Sequence, residues 1–218
     1  MPNVVKTKPI PSESQIASIA AILDAAEEVF GTHGFDGGSM REIAQLAGIS
    51  QSLLHYHYNN KVTLYEAVFE RRARVIQDVR MQQLQDVVSK NGSLEDVLHI
   101  LFLPLDTLLS ARRGRLKFYV QMLASVTMSA DPQSLHIVKK FYDPSAEHFI
   151  AAFKSVEPTL GQDEAVWAYL FAIGARMQAH SPTGRAGRLG ASGDREKPYE
   201  LLVKFVAGGI RNIGGRSL

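Results

Sequence analysis

Between Gln51 and His57 the chain carries a carboxamide, a hydroxyl, two imidazoles and a phenol (QSLLHYH). These groups suit reading a surface of hydrogen-bonding edges better than breaking a bond. Gln51 can pair with an adenine edge or a phosphate, and Ser52 can serve either partner. His55, Tyr56 and His57 suit sugar–phosphate contacts or a thymine methyl. The His-x-His pair invites a metal reading, but residues two apart on a helix point to different sides and chelate poorly. Elsewhere there is no nucleophile motif, zinc-ligand spacing or paired-carboxylate signature, so neither catalysis nor a cofactor is expected.

The elements that must position these groups lie in SMREIAQLAGISQSLLHYHYNNK, from Ser39 to Lys61. Ser39 followed by Glu42 has the spacing of a capping box. Met40, Ile43, Ala44 and Ala47 recur at helical spacing and give one apolar face. Gly48 suits the left-handed residue that closes a helix. Ile49 can plug the corner, and Ser50 is a good cap for a second short helix. Around that helix, with Leu54 inward, Ser52 and Tyr56 point away and His55 lies to one side. Gln51 stands in the first turn, the part that enters a major groove first. Asn59, Asn60 and Lys61 end this helix and begin another, whose N-terminus could hold a phosphate beside the Lys61 charge. The layout is that of a helix-turn-helix, which also occurs as an ordinary helical hairpin.

Residues from about 15 to 66 resemble the N-terminal domain of the tetracycline-repressor (TetR/AcrR) family. The resemblance is carried by ILDAAEEVFGTHGFDG, REIAQLAGIS, QSLLHYHY and NKVTLYEAV, in that order. It covers roughly a quarter of the chain; the remainder resembles the family in length, helical character and a glycine-containing terminal helix (FVAGGIRNI). The resemblance implies a homodimeric repressor. A small molecule in the C-terminal domain would change the distance between two DNA-reading heads. By motif position it places Ser39, Arg41, Gln51, Ser52, His55, Tyr56, His57 and Lys61 at the DNA. The chain departs from the family where His55 replaces a usual tyrosine and Gly38 lies near a usual threonine. Leu53 is larger than usual, and Val62 replaces a common acidic residue. These departures bear on base-level specificity, not on the docking mode.

Composition bounds the rest. A chain of 218 residues, 45% hydrophobic and 21% charged, can build one small and one larger globular domain. No apolar run is long enough to span a bilayer. MPNVVKTKPIPSES reads as a flexible arm over residues 1–14, with no signal-peptide core. Cysteine is absent, which fits a cytoplasmic location. The net charge is only +2. Over residues 1–61 the four bases Lys6, Lys8, Arg41 and Lys61 face six acids: Glu13, Asp24, Glu27, Glu28, Asp36 and Glu42. Electrostatics alone therefore does not point to nucleic acid.

The periodicity predicts an all-α protein: a three-helix head over 15–60 and a helical effector-binding and dimerisation domain over 61–218. A first helix from about Gln15 to Thr32 carries the stripe Ile16, Ile19, Leu23, Ala26 and Phe30, and His33-Gly34 ends it. A long helix from Asn60 or Lys61 toward Lys90 buries Leu64, Tyr65, Val68, Phe69, Val75 and Val79. Ser93 with Asp96 starts another. LEDVLHILFLPLDTLLSARR is apolar almost all round and is kinked by Pro104. It runs into the cluster Arg112, Arg113, Arg115 and Lys117, a solvated junction by default. Helices over about 115–129 and 133–156 follow, the second breaking near Asp143-Pro144. Helices over 163–179 and from Tyr199 to about Ile213 flank a glycine-rich loop over 181–198. The GxxGxxG of that loop lacks a preceding strand and a P-loop lysine.

A small-molecule pocket would draw its walls from His99, Phe102, Phe118, Tyr119, Met122, Phe141, Tyr142, His148 and Trp167, though each alone reads as core. The resemblance implies that the last two long helices pair between subunits. Ala168, Ala172, Gly174 and Ala175 would form one face and Val203, Val206, Ala207 and Ile210 its partner. The expected partners are an inverted-repeat duplex operator, an apolar or amphipathic effector and a second copy of the chain, with no membrane. The competing possibilities are an all-α carrier or enzyme reusing the domain, and a helical protein-interaction module.

Overall fold

The first helix, α1 (Glu13–Gly37), turns inward through Ile22, Leu23, Ala26, Val29 and Phe30, all buried. That stripe follows the 3.6-residue period, whereas Ile16 is exposed, contrary to its assignment to the inner face. Gly34 (φ 72°, ψ 178°) breaks the helix where His33-Gly34 is expected to end it, and helical backbone resumes as far as Gly37. The computed structural model describes residues 13–103, 116–179, 185–191 and 197–214, and every regular element among them is a helix. Contacts divide these residues into two units. The first holds the described residues up to Val68 together with Phe118–Met122; the second holds the described residues of 69–117 and 123–218.

In the first unit α1 is followed by α2 (Met40–Leu46), α3 (Gln51–His57) and the beginning of α4 (Lys61–Ser89). Phe30, Ile43, Ala44, Leu54, Leu64, Tyr65 and Val68 are buried here. Tyr65 meets Phe30 and Phe35 edge-on, each at a centroid distance of 5.0 Å. Gly38 is buried, and a Cβ there would lie 2.8 Å from the Phe30 ring, so the site has no room for a side chain.

The remainder of α4 buries Phe69, Ala73, Ile76, Arg80 and Leu84, spaced by threes and fours. Val75 falls off that stripe and is exposed, contrary to its expected place in the seam. After it come α5 (Leu94–Phe102), α6 (Leu116–Thr127), α7 (Pro132–Phe141), α8 (Asp143–Val156), α9 (Gln162–Ala179), the single turn α10 (Arg185–Arg188) and α11 (Lys197–Gly214). Ser93 and Asp96 close a reciprocal capping box on α5: Ser93 N donates to Asp96 Oδ2 at 2.8 Å, and Asp96 N donates to Ser93 Oγ at 3.2 Å. The break expected near Asp143-Pro144 falls at Tyr142, between α7 and α8, and Asp143 and Pro144 open α8.

The core of the second unit joins Leu94, Leu98 and Leu101 of α5 to Phe149 and Phe153 of α8, to α9, and to Leu202, Val203 and Val206 of α11. At its edge Arg211 forks onto Glu95 (Nη1–Oε1 2.6 Å, Nη2–Oε2 2.7 Å), and its Nε donates to Glu157 at 3.0 Å. One guanidinium thus ties α11 to the start of α5 and the end of α8. Pro104, Arg112, Arg113, Arg115, Gly184 and the arm preceding Glu13 lie outside the described residues. Lys117 is exposed.

Candidate nucleic-acid interface

Two hydroxyl caps and one left-handed glycine set the geometry of α2 and α3. Ser39 Oγ accepts from Glu42 N at 3.1 Å. The other half of the expected box is replaced, since the Glu42 carboxylate turns to His33 Nε2 at 3.3 Å. Gly48 takes φ 69° after the end of α2, and Ile49 N then donates to the carbonyl of Ala44 at 3.0 Å. An L side chain is disfavoured at that φ, so glycine makes this sharp reversal accessible. Ser50 Oγ accepts from Leu53 N at 3.2 Å and starts α3 at once.

Within α3 only Leu54 is buried, with no exposed area at all. Gln51, Ser52, Leu53, His55 and Tyr56 are exposed, and Tyr56 keeps 75% of its surface. His57 is half-buried, its ring edge-on to Tyr56 at 5.3 Å. A helix of seven residues anchored by one leucine therefore presents amide, hydroxyl, imidazole and phenol groups to solvent. Arg41 of α2 is exposed as well, and Ser39 is exposed but uses its hydroxyl as a cap.

Lys61 also has partners within its own unit. It is half-buried, and its ammonium donates to the carbonyls of Asp36 (3.2 Å) and Gly38 (3.1 Å) while lying 4.5 Å from the centroid of the Phe35 ring. The N-terminus of α4 is capped by Asn60, whose Oδ1 accepts from Thr63 N at 2.9 Å.

The nine expected pocket residues do not share one setting. Phe118, Tyr119 and Met122 belong to the first unit and the other six to the second. Phe102, Tyr119, Met122 and Phe141 are buried core side chains, and Phe118 and Tyr142 are half-buried. His148 is exposed, with Nδ1 2.6 Å from the carbonyl of Pro144. Trp167 is 56% exposed and so walls no interior cavity. His99 lines an open cleft of about 350 Å³ between α4 and α5, with Gln83, Asp86, Val87, Ile100 and Leu103.

The expected subunit face is corrected. Ala168, Ala172, Val203, Val206, Ala207 and Ile210 are sealed in the core of their own unit, and Ala175 packs half-buried against it. The cause is a second apolar stripe on α9. Its small residues allow close packing inside, while Trp167, Leu170, Phe171 and Gly174 recur at the same spacing on the outside. On α11 Leu201, Phe205, Gly208 and Gly209 are exposed, with Phe205 at 76%, alongside Glu200, Lys204, Arg211 and Asn212. Two buried cations, Arg80 and Arg176, also escaped the sequence reading. Each sits on an apolar stripe, Arg80 after Ala73 and Ile76 and Arg176 four residues beyond Ala172, so periodicity alone could have found them. Arg176 Nη2 donates to the carbonyl of Leu103 at 3.4 Å.

A sequence family described as bacterial regulatory proteins of the tetR family matches residues 22–68. Another, described as the tetracyclin repressor-like C-terminal domain, matches residues 99–209. The HTH-type transcriptional regulator RutR of Escherichia coli strain K12 is 31% identical over 129 residues, 59% of either chain. The chain thus spans about three fifths of the length of the curated relatives it matches first. A TetR-family regulator structure from Mesorhizobium loti MAFF303099 has the same fold, with a TM-score of 0.60 and 19% identity over 93% of this chain and 98% of the other. So does AibR, solved with isovaleryl coenzyme A and operator DNA, with a TM-score of 0.61 and 17% identity over 86% and 97%. These matches are to transcription regulators and not to enzymes. With a family match over half its length and a second across the helix-turn-helix, the chain belongs to the tetracycline-repressor family of bacterial regulatory proteins.

Proposed function

We propose that this protein is a ligand-responsive transcriptional repressor that binds an inverted-repeat operator as a homodimer and leaves it when a small apolar or amphipathic effector fills its C-terminal domain. The observation that carries the DNA-reading role is the outward face of α3. Gln51, Ser52, His55 and Tyr56 stand exposed around a single buried leucine. A helix presented in this way can enter a major groove N-terminus first, with Gln51 and Ser52 nearest the base edges and Tyr56 and His57 toward the backbone. Arg41 supplies an exposed charge from the bracing helix. The setting is the cytoplasm, where such a duplex is reached.

The homodimer is supported by the outer stripe of α9 and its neighbour on α11. Trp167 and Phe171 stack tilted at 5.7 Å, and Leu170, Leu201 and Phe205 are exposed on the same two helices. A helix apolar on both sides calls for cover on both. The effector is supported by family membership and by AibR, which carries an acyl-coenzyme A in its own structure. For the effector to release DNA it must favour the non-binding shape, since equal affinity for both shapes shifts nothing. The test is duplex binding against salt concentration. A regulator loses affinity steeply, by about one log–log slope unit per phosphate neutralised, whereas a carrier or an enzyme shows no such binding.

A further inference from the structure

Leu53 is the aliphatic side chain that α3 leaves in solvent, 39% exposed, beside Leu54, which is wholly buried. A lone exposed leucine is ordinary on a protein surface, but the setting of this one is not. Its backbone is fixed, because Leu53 N donates to Ser50 Oγ at 3.2 Å in the cap that starts the helix. Leu53 therefore stands in the first turn. The Cα–Cβ bonds of a helix tilt toward its N-terminus, so the side chain leans toward the end that enters a groove first. At about 100° per residue, Leu53 and Gln51 fall on opposite flanks of the outward ridge made by Ser52 and Tyr56. Tyr56, three residues on and 75% exposed, neighbours Leu53 on that surface. α3 carries no lysine or arginine, so this face has no guanidinium to fork onto a guanine.

We infer that Leu53 reads a thymine, packing its isobutyl group on the C5-methyl of that base while Gln51 meets a base edge from the other flank. The role rests on the DNA-reading proposal above and deepens it, since it names the base chemistry that this face selects. In the major groove every base edge offers hydrogen-bonding groups, and thymine alone adds a methyl. An aliphatic side chain pressed on the edge of guanine, adenine or cytosine covers polar groups without bonding them, which costs free energy. Pressed on thymine, it takes a methyl and part of its own surface out of water, which is favourable. Leu53 thus discriminates both by what it gains at thymine and by what it spoils elsewhere. The half-site read by α3 accordingly holds a thymine at a fixed place, recognised through one methyl group.

The test uses the full-length protein and a duplex that the wild type selects from a random pool. Each thymidine of a half-site is replaced in turn by deoxyuridine, which keeps every hydrogen-bonding group and removes the methyl alone. Affinity is measured for the wild type, Leu53→Ala and Leu53→Met, each shown to be folded by circular dichroism. One replacement should weaken the wild type about fourfold per half-site, the worth of one small apolar group buried. Leu53→Ala should bind the thymidine and deoxyuridine duplexes alike at that position. Leu53→Met, which keeps an apolar reach, should retain most of the preference. A wild type that binds its motif but ignores every replacement overturns the role of Leu53 and leaves the DNA reading intact. A selected half-site without thymine does the same. So does a methyl preference that survives undiminished in Leu53→Ala, since another side chain then reads the methyl. A wild type that selects no duplex sinks the DNA-reading proposal, and the role of Leu53 falls with it.

Discussion

Gly31 of α1 lies so close to Phe118 that a Cβ on it would stand 2.6 Å from the Phe118 Cα and 2.7 Å from its carbonyl oxygen. The obstacle is backbone, so no rotamer change relieves it. Alanine gains about 1 kcal/mol of helix propensity over glycine. Overpacking against fixed atoms costs about 1–3 kcal/mol, and here it should win. Gly31→Ala is expected to lower the thermal midpoint. A midpoint that holds or rises would mean α1 and the Phe118 backbone can separate at no cost.

Acid should dissolve the clamp at Arg211. The hydrogen bonds from Arg211 hold the Glu95 carboxyl below its ordinary value of 4.5. A lowered carboxylate stabilises the fold above the unfolded pKa, and that contribution fades as pH falls through the folded one. The pair is partly exposed, with 48% and 36% of its side-chain surface open, so its worth stays under ~1 kcal/mol. In urea titrations Glu95→Gln should be less stable than the wild type at neutral pH, and the two should converge well below pH 4.5. A gap independent of pH would remove the ion pair from the account.

Much of this fold was legible in the residues. Ser39, Ser50 and Ser93 each stand at a helix start, because a short polar side chain followed by a periodic run leaves few alternatives. The outward face of α3 followed from one leucine and 100° per residue. What failed was choosing between two apolar faces of one helix. Ala168 and Ala172 share a spacing with Trp167, Leu170 and Phe171, and periodicity cannot say which stripe meets its own core. The inner partners of Lys61 were not legible for a related reason. Its partners are carbonyls some 23 and 25 residues away in sequence, and a carbonyl leaves no trace in residue type.

The burial of the small residues on α9 decides the probe for subunit pairing. Ala172 is wholly buried, so Ala172→Trp would disrupt the core and say nothing about assembly. Phe205→Glu places a charge on the outer stripe, where it meets solvent in a lone subunit. Sedimentation of this folded variant is expected to show monomers where the wild type shows dimers. A Phe205→Glu dimer of unchanged strength would move the interface off α9 and α11.

Arg41 and Gln51 should separate affinity from specificity. Loss of an exposed cation at the backbone weakens all sequences alike, so Arg41→Ala is expected to lower the salt slope by about one. Loss of an amide at a base edge costs about 1–3 kcal/mol at one position, so Gln51→Ala is expected to relax preference there and leave the slope alone. Reversed outcomes would exchange the two roles.

The central claim is that the solvent-facing side of α3 reads a DNA sequence, and selection of bound duplexes from a random pool tests it most directly. The wild type should enrich two inverted half-sites whose centres lie one or more helical turns apart, in units of about 10–10.5 base pairs. Paired substitution of Gln51 and Tyr56 by alanine should erase or rewrite that motif. A pool without enrichment, or the same motif recovered by the doubly substituted protein, would contradict the claim.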